Sequence, residues 1–173
     1  MIVQEKKLTE YNRFKHEEAV ARKSGIFDMA CKDIGSLSKR DLKLIGIALY
    51  WAEGYKTDLA RDVEVVNSDP LMIKLMMKWF REICDVPEDK FKIRIQIHNA
   101  SNVEDGIRFW SRITGVPSDQ FTKSYIKISP SSTGKSGNRH PYGVCHVRIA
   151  NTDLLAKIKG WVKGLKALSS SLA

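Results

Sequence analysis

No run of about eighteen apolar residues occurs in the 173-residue chain, so no membrane-spanning helix is expected. The opening stretch, MIVQEKKLTEYNRFKHEE, is charged where a secretory signal would be apolar. This argues against secretion and for an intracellular, cytoplasmic protein that does not meet a membrane. Cysteine is scarce. Cys31, Cys84 and Cys145 are odd in number and far apart, which excludes a disulfide scaffold and reads as reduced, mostly buried thiols. His98, His140, His146 and Cys145 do not fall at zinc-ligand spacing, and no Ser-His-Asp or thiol nucleophile arrangement can be assembled. Acids all but vanish from the last third. From Thr122 to Ala173 there are nine Lys or Arg against the single acid Asp153, which accounts for nearly all of the net charge of +9. Such asymmetry favours a polyanionic partner, nucleic acid ahead of an anionic membrane surface. What remains, 43% apolar residues, is enough for the core of one domain with an extension.

The element around which the rest is organised runs from Leu42 to Lys56 and reads as an apolar helix closing on Glu53-Gly54. Ile45, Ala48, Leu49 and Ala52 fall at i, i+3, i+4 and i+7, one helix face. Leu44, Ile47 and Trp51 make a second apolar face. A helix apolar on two sides needs two partners: its own domain, and a second helix brought close by the small residues Gly46, Ala48 and Ala52. Gly54 is expected in a left-handed conformation that stops the helix. Glu53 sits at the negative end of the helix dipole, a position that costs roughly 0.3–1 kcal/mol. Either it points into water, or a cation is held there.

In chain order, Gln4 to Lys32 is charged and helical, with an interruption expected at Lys23-Ser24-Gly25; residues 1–36 form an N-terminal extension to a domain spanning 37–168. Ser36 or Ser38 can cap the next helix. After Gly54 a short strand and loop are expected over Tyr55–Asp58, then a strand at Val63–Asn67. Ser68 or Asp69 caps a helix that begins on Pro70 and lines its apolar side with Leu71, Met72, Leu75, Met76, Trp79 and Ile83. A helix at Asn102–Thr114 turns Ile107, Trp110 and Ile113 inward. The last helix, capped by Asn151 or Thr152, buries Leu154, Leu155, Ile158, Trp161, Val162 and Leu165, and residues 169–173 fray.

Three strands alternate with period two. In Lys90–His98, Lys90, Lys92, Arg94, Gln96 and His98 share one face. In Lys123–Ser129 the corresponding residues are Lys123, Tyr125 and Lys127, and in Val144–Ile149 they are Val144, His146 and Arg148. An antiparallel sheet with helices on its apolar face would leave this basic face in solvent, where it can reach phosphates and base edges in the major groove. The plainer alternative is a lysine-rich face that blocks edge pairing. The loop from Pro130 to Pro141 adds Lys135 and Arg139 as nucleic-acid contacts. Its Thr133-Gly134-Lys135-Ser136 is not a phosphate loop, because Ser129 stands where the first glycine belongs and no strand-to-helix turn surrounds it.

Residues Gly46 to Gly54, GIALYWAEG, resemble the nonapeptide of the LAGLIDADG homing endonucleases. Ala48 stands at the motif glycine, Leu49 at the second leucine, Ala52 at the alanine, and Glu53-Gly54 at the closing acid-glycine pair. Tyr50-Trp51 replaces the Ile-Asp pair, and glutamate replaces aspartate. The element order over Ser38–Lys166 also resembles that family, apart from the helix at Asn102. The resemblance implies an α+β fold with a saddle-shaped, mostly antiparallel sheet in the major groove of double-stranded DNA. With one motif per chain it implies a homodimer, with Ile45, Ala48, Leu49 and Ala52 at the interface. It further implies Mg2+ held by Glu53 from each subunit, with Lys123 and Lys127 as candidates for the basic active-site residue. The expected activity is metal-dependent phosphodiester hydrolysis. A DNA- or RNA-binding protein that does not cut, such as a transcription regulator or splicing helper, is the alternative. A protein-interaction module with a lysine-rich surface is the third reading.

Overall fold

The computed structural model describes residues 2–54, 57, 60–97, 103–126 and 141–170; the side chains of 2–8, 125, 126, 169 and 170 are not described. Two compact units divide the chain, Met1–Ser38 and Lys39–Ala173.

The first unit is essentially one helix, α1 (Ile2–Asp33). It runs straight through Lys23-Ser24-Gly25, contrary to the expected interruption. A Cβ at Gly25 would meet nothing within 4 Å, so this glycine costs only its propensity, about 1 kcal/mol, too little to break a long helix. Pairs one turn apart, Arg13–Glu17 at 3.7 Å and Lys15–Glu18 at 3.0 Å, offset part of it. Cys31 is exposed here, not buried as expected.

The second unit is α+β. Its elements are α2 (Lys39–Glu53), β1 (Val63–Asn67), α3 (Pro70–Glu82), β2 (Phe91–Ile97), α4 (Val103–Thr114), β3 (Tyr125–Ile126), β4 (Val144–Ile149) and α5 (Thr152–Ser170). The sheet order is β1-β4-β2-β3. β4 pairs antiparallel with both β1 and β2. β3 pairs parallel with β2, so the sheet is mixed, antiparallel but for this edge pair. The crossover through α4 is long enough to return the chain in the same direction. The strand expected over Lys123–Ser129 is only two residues long among the described residues. Lys127 and the loop to His140, with Lys135 and Arg139, lie outside them, as do His98 and most of Tyr55–Asp58.

Alternation explains the layering. Val63, Val65, Phe91, Ile93, Ile95, Cys145, Val147 and Ile149 all point to one side and are buried. Helices cover that side: Ile73, Met76, Met77 and Phe80 from α3, Trp110 from α4, Leu154, Leu155 and Ile158 from α5, and Leu42, Ile47 and Tyr50 from α2. On α3 the buried stripe is therefore shifted by a residue or two from the one expected, and Leu71 is 74% exposed. The caps are as the sequence suggested. Asp69 Oδ1 accepts from the amides of Leu71 (2.8 Å) and Met72 (3.3 Å), with Pro70 opening the helix. Asn151 Oδ1 accepts from Leu154 N at 2.9 Å.

Trp79 is the joint between α2, α3 and α5. It is fully buried, stacked 6.4 Å from Tyr50 and edge-on to Trp161 at 6.2 Å. A Cβ on Gly46 would lie 2.1 Å from the Trp79 ring. Gly46 is thus small for α3 of its own chain, not for a second copy of α2 as expected.

Candidate functional site

α2 turns Leu42, Gly46, Ile47 and Tyr50 inward. Of the expected interface residues, Ala48 and Ala52 are exposed, Ile45 is half-buried, and Leu49 is half-buried against the core. Leu44 and Trp51 widen the exposed strip, with Lys166 Nζ 5.0 Å above the Trp51 ring. Tyr50 and Trp51, which differ from the resembled nonapeptide, go to opposite sides of the helix. Tyr50 is a core residue, and its burial pushes the phenol up to about 12, with the Glu64 backbone hydrogen-bonding to it. Trp51 stays on the outside.

Glu53 is exposed in the last turn of α2, which carries no basic residue. Gly54 follows but is not left-handed, which corrects the expected helix stop. Its amide bonds to Tyr50 O at 2.9 Å, and it bridges antiparallel to Val65 on β1. Any Cβ there would sit 2.5 Å from Tyr50 O. The glycine is needed because backbone passes close to backbone, and this fixes Glu53 beside the first strand of the sheet.

The solvent face of the sheet collects Lys92, Arg94 and Gln96 from β2, His146 and Arg148 from β4, and Glu64 from β1. The register sets Lys92 opposite Arg148, Arg94 opposite His146, and Glu64 opposite Arg148 on the other side. Lys92, Arg94 and Arg148 are exposed. Lys90 does not join them. It ends a 3-10 turn (Glu88–Lys90) and pairs with Asp89 at 3.0 Å, because Pro87 turns the chain just before the strand. Lys123 is exposed, but in the segment leading into β3 and not on a strand. Tyr125 is placed by its backbone, opposite Gln96.

The face is less uniformly basic than the three alternating strands implied. Glu64 and Asp62 were not among the expected site residues. His146 Nδ1 lies 2.9 Å from Glu64 Oε1, and Arg94 Nη2 is 3.5 Å from the same oxygen. An ionised carboxylate only accepts, so the Nδ1–H donates to Glu64. His146 Nε2 is then left buried with no partner among the described residues. Arg148 donates Nε–H to Asp62 Oδ2 at 2.8 Å, with Nη2 on the same oxygen. Glu64, Lys92, Arg94, Thr122, His146 and Arg148 line a cavity of about 130 Å³. The two acids hold the guanidinium groups in fixed directions, which lowers the entropy lost when they bind a ligand. The signal was available: Glu64 alternates with Val63 and Val65, so β1 had to deliver a carboxylate to this face.

No family model, curated protein or solved structure matches the chain.

Glu64 also gives a testable pH dependence. Its carboxyl is held below the ordinary value first by the His146 hydrogen bond, then by the charges of His146, Arg94 and Arg148, against an opposing effect of burial. A depressed folded-state pKa contributes stability that is present above the unfolded carboxyl value and lost as pH falls through the folded one. Glu64→Gln is therefore expected to be less stable than wild type at neutral pH by about 1.5–3 kcal/mol, the scale of a charge-assisted hydrogen bond. The gap should close as pH drops below about 4. Urea melts of both proteins across that range measure it. A gap that stays constant would show that the carboxylate charge is not what stabilises.

Among the described residues, no group of three His, Cys, Asp or Glu side chains is arranged to hold a metal ion. Glu53 alone supplies one carboxylate. Magnesium prefers near-octahedral oxygen coordination and is commonly held by one or two carboxylates together with substrate phosphates.

Proposed function

We propose that the Lys39–Ala173 unit binds double-stranded DNA through the solvent face of its sheet, in the manner of a LAGLIDADG-like domain. The observation that carries this reading is the exposed row of Lys92, Arg94 and Arg148 across adjacent strands, with two of the three held in place by carboxylates. Strands can enter the major groove, and fixed guanidinium groups suit phosphate oxygens or the O6/N7 edge of guanine. The excess of basic residues in the last third adds to the attraction. RNA duplexes suit the face less, since side chains cannot read their deep, narrow major groove.

The experiment is a titration of labelled duplex DNA with the full chain at several salt concentrations. The affinity is expected to fall steeply with salt, by about 0.9 in log–log slope per phosphate contacted. A flat salt dependence, or no binding near physiological salt, would remove the reading.

Hydrolysis is a second reading, favoured by one specific feature: the exposed strip of α2 that ends on Glu53. Two copies meeting along Leu44, Ala48, Trp51 and Ala52 would bring both Glu53 side chains toward one axis. In that homodimer a bound Mg2+ would supply charge neutralisation of the phosphodiester, and Glu53 would help to hold it. Glu53→Gln is expected to abolish magnesium-dependent nicking of a long duplex while binding is retained. Equal nicking by the variant would take Glu53 out of the mechanism.

A further inference from the structure

A groove of about 520 Å³ lies between α3 and α4, on the helical layer and away from the sheet's solvent face. Leu71 and Leu75, one turn apart on α3, and Ile113 on α4 give it an apolar floor. Leu71 is 74% exposed, the highest value of any large apolar side chain among the described residues. Lys74 and Lys78 run parallel to the two leucines one turn apart, and Arg112 faces them from α4. The sole carboxylate among the lining residues is Glu82, and Lys78 pairs with it.

One end of the groove is tied by side-chain hydrogen bonds. Arg81 donates to both oxygens of Glu88, at 2.6 and 2.9 Å, and to Thr114 O at 2.8 Å. That guanidinium ties the C-terminal end of α3 to the last residue of α4, so the spacing between the helices is fixed in advance. Pre-formed spacing lowers the entropy cost of accepting a ligand.

We infer that this groove docks an acidic amphipathic helix of a partner protein. The ridge of leucines beside a ridge of lysines calls for a ligand with apolar side chains at i, i+3, i+4 and i+7 flanked by carboxylates. Nucleic acid fits less well, because phosphates would leave Leu71, Leu75 and Ile113 uncovered. A second copy of this chain meeting face to face would set Lys74, Lys78 and Arg112 against their own equivalents. The domain would then engage DNA with one layer and a protein with the other.

The test uses the full chain and fluorescein-labelled helical peptides of about twenty residues. One peptide carries leucines at helical spacing flanked by glutamates, and a second carries lysines in place of the glutamates. Fluorescence anisotropy is expected to show binding of the glutamate peptide alone. Leu71→Asp and Lys74→Glu should each weaken it by about tenfold or more, as loss of an interface anchor does. Both side chains are exposed, so circular dichroism should be unchanged and duplex affinity should stay within about twofold. Equal binding of the two peptides, or unchanged affinity in both variants, overturns the proposal. So does a matching loss of duplex binding in Lys74→Glu, which would make the groove a nucleic-acid surface.

Discussion

Gly46→Leu should leave the Lys39–Ala173 unit unfolded at 25 °C, and even Gly46→Ala should cost about 2–3 kcal/mol. The position a Cβ would take is 2.1 Å from Cδ1 and 2.2 Å from Cγ of Trp79. Trp79 cannot yield, because Tyr50, Phe80 and Trp161 pack against its ring. Overpacking of this kind typically costs about 1–3 kcal/mol and at times more, while a whole domain is stable by only about 5–15 kcal/mol. Helix propensity works the other way, since alanine is better than glycine by about 1 kcal/mol. Gly160→Ala in α5 isolates that contribution. Nothing lies within 4 Å of its added Cβ, so it should be neutral or stabilising. Trp79→Phe should recover part of the loss in a Gly46→Ala background, a coupling readable in a double-mutant cycle of urea melts. A stable Gly46→Leu protein would mean that α2 and α3 are not packed through this ring.

The second large effect is on binding. Replacing Lys92, Arg94 and Arg148 together by alanine is expected to reduce duplex affinity by about 10³-fold or more near 0.1 M salt. The log–log salt slope should fall by nearly 3, about 0.9 for each of three phosphates no longer neutralised. The substitution is safe for the fold as far as packing goes, because the three side chains are exposed on the sheet. It does release Asp62 from its guanidinium partner and leaves Glu64 with His146 alone. Both carboxylates would repel phosphate further. The Glu64→Gln variant separates the contributions: it removes one carboxylate while all three cations stay. Unchanged affinity in the triple variant would move the nucleic-acid surface elsewhere.

Much of this architecture is legible in the residues. Strict alternation in Phe91–Ile97 and Val144–Ile149 marks strands and faces that the structure reproduces, because one wrong register would put a lysine into the core. Asp69-Pro70 and Asn151 mark helix starts for a local reason, the need to satisfy free backbone amides. Other features depend on packing at a distance. Nothing near Gly46 in sequence announces Trp79, thirty-three positions on, and so a glycine that serves the domain's own core looks in the sequence like one that serves a dimer. The α3 stripe slips for a similar reason: Leu71 and Ile73 are equally apolar, and only the position of the sheet decides which is buried. The pairing of β3 alongside β2 depends on where the α4 crossover returns. The carboxylates on the basic face are visible as Asp62 and Glu64, but their grip on Arg148 and Arg94 joins residues far apart in the chain. Lys127, Lys135, Arg139 and His98 fall outside the described residues.

The most direct test follows backbone amide resonances of the full chain as a short DNA duplex is added. Binding by the sheet's solvent face predicts that the perturbed amides cluster at Glu64, Lys92, Arg94, His146 and Arg148, with α3 and α4 unmoved. Perturbations gathered on the helices, with those strand amides unchanged at saturating duplex, would contradict it.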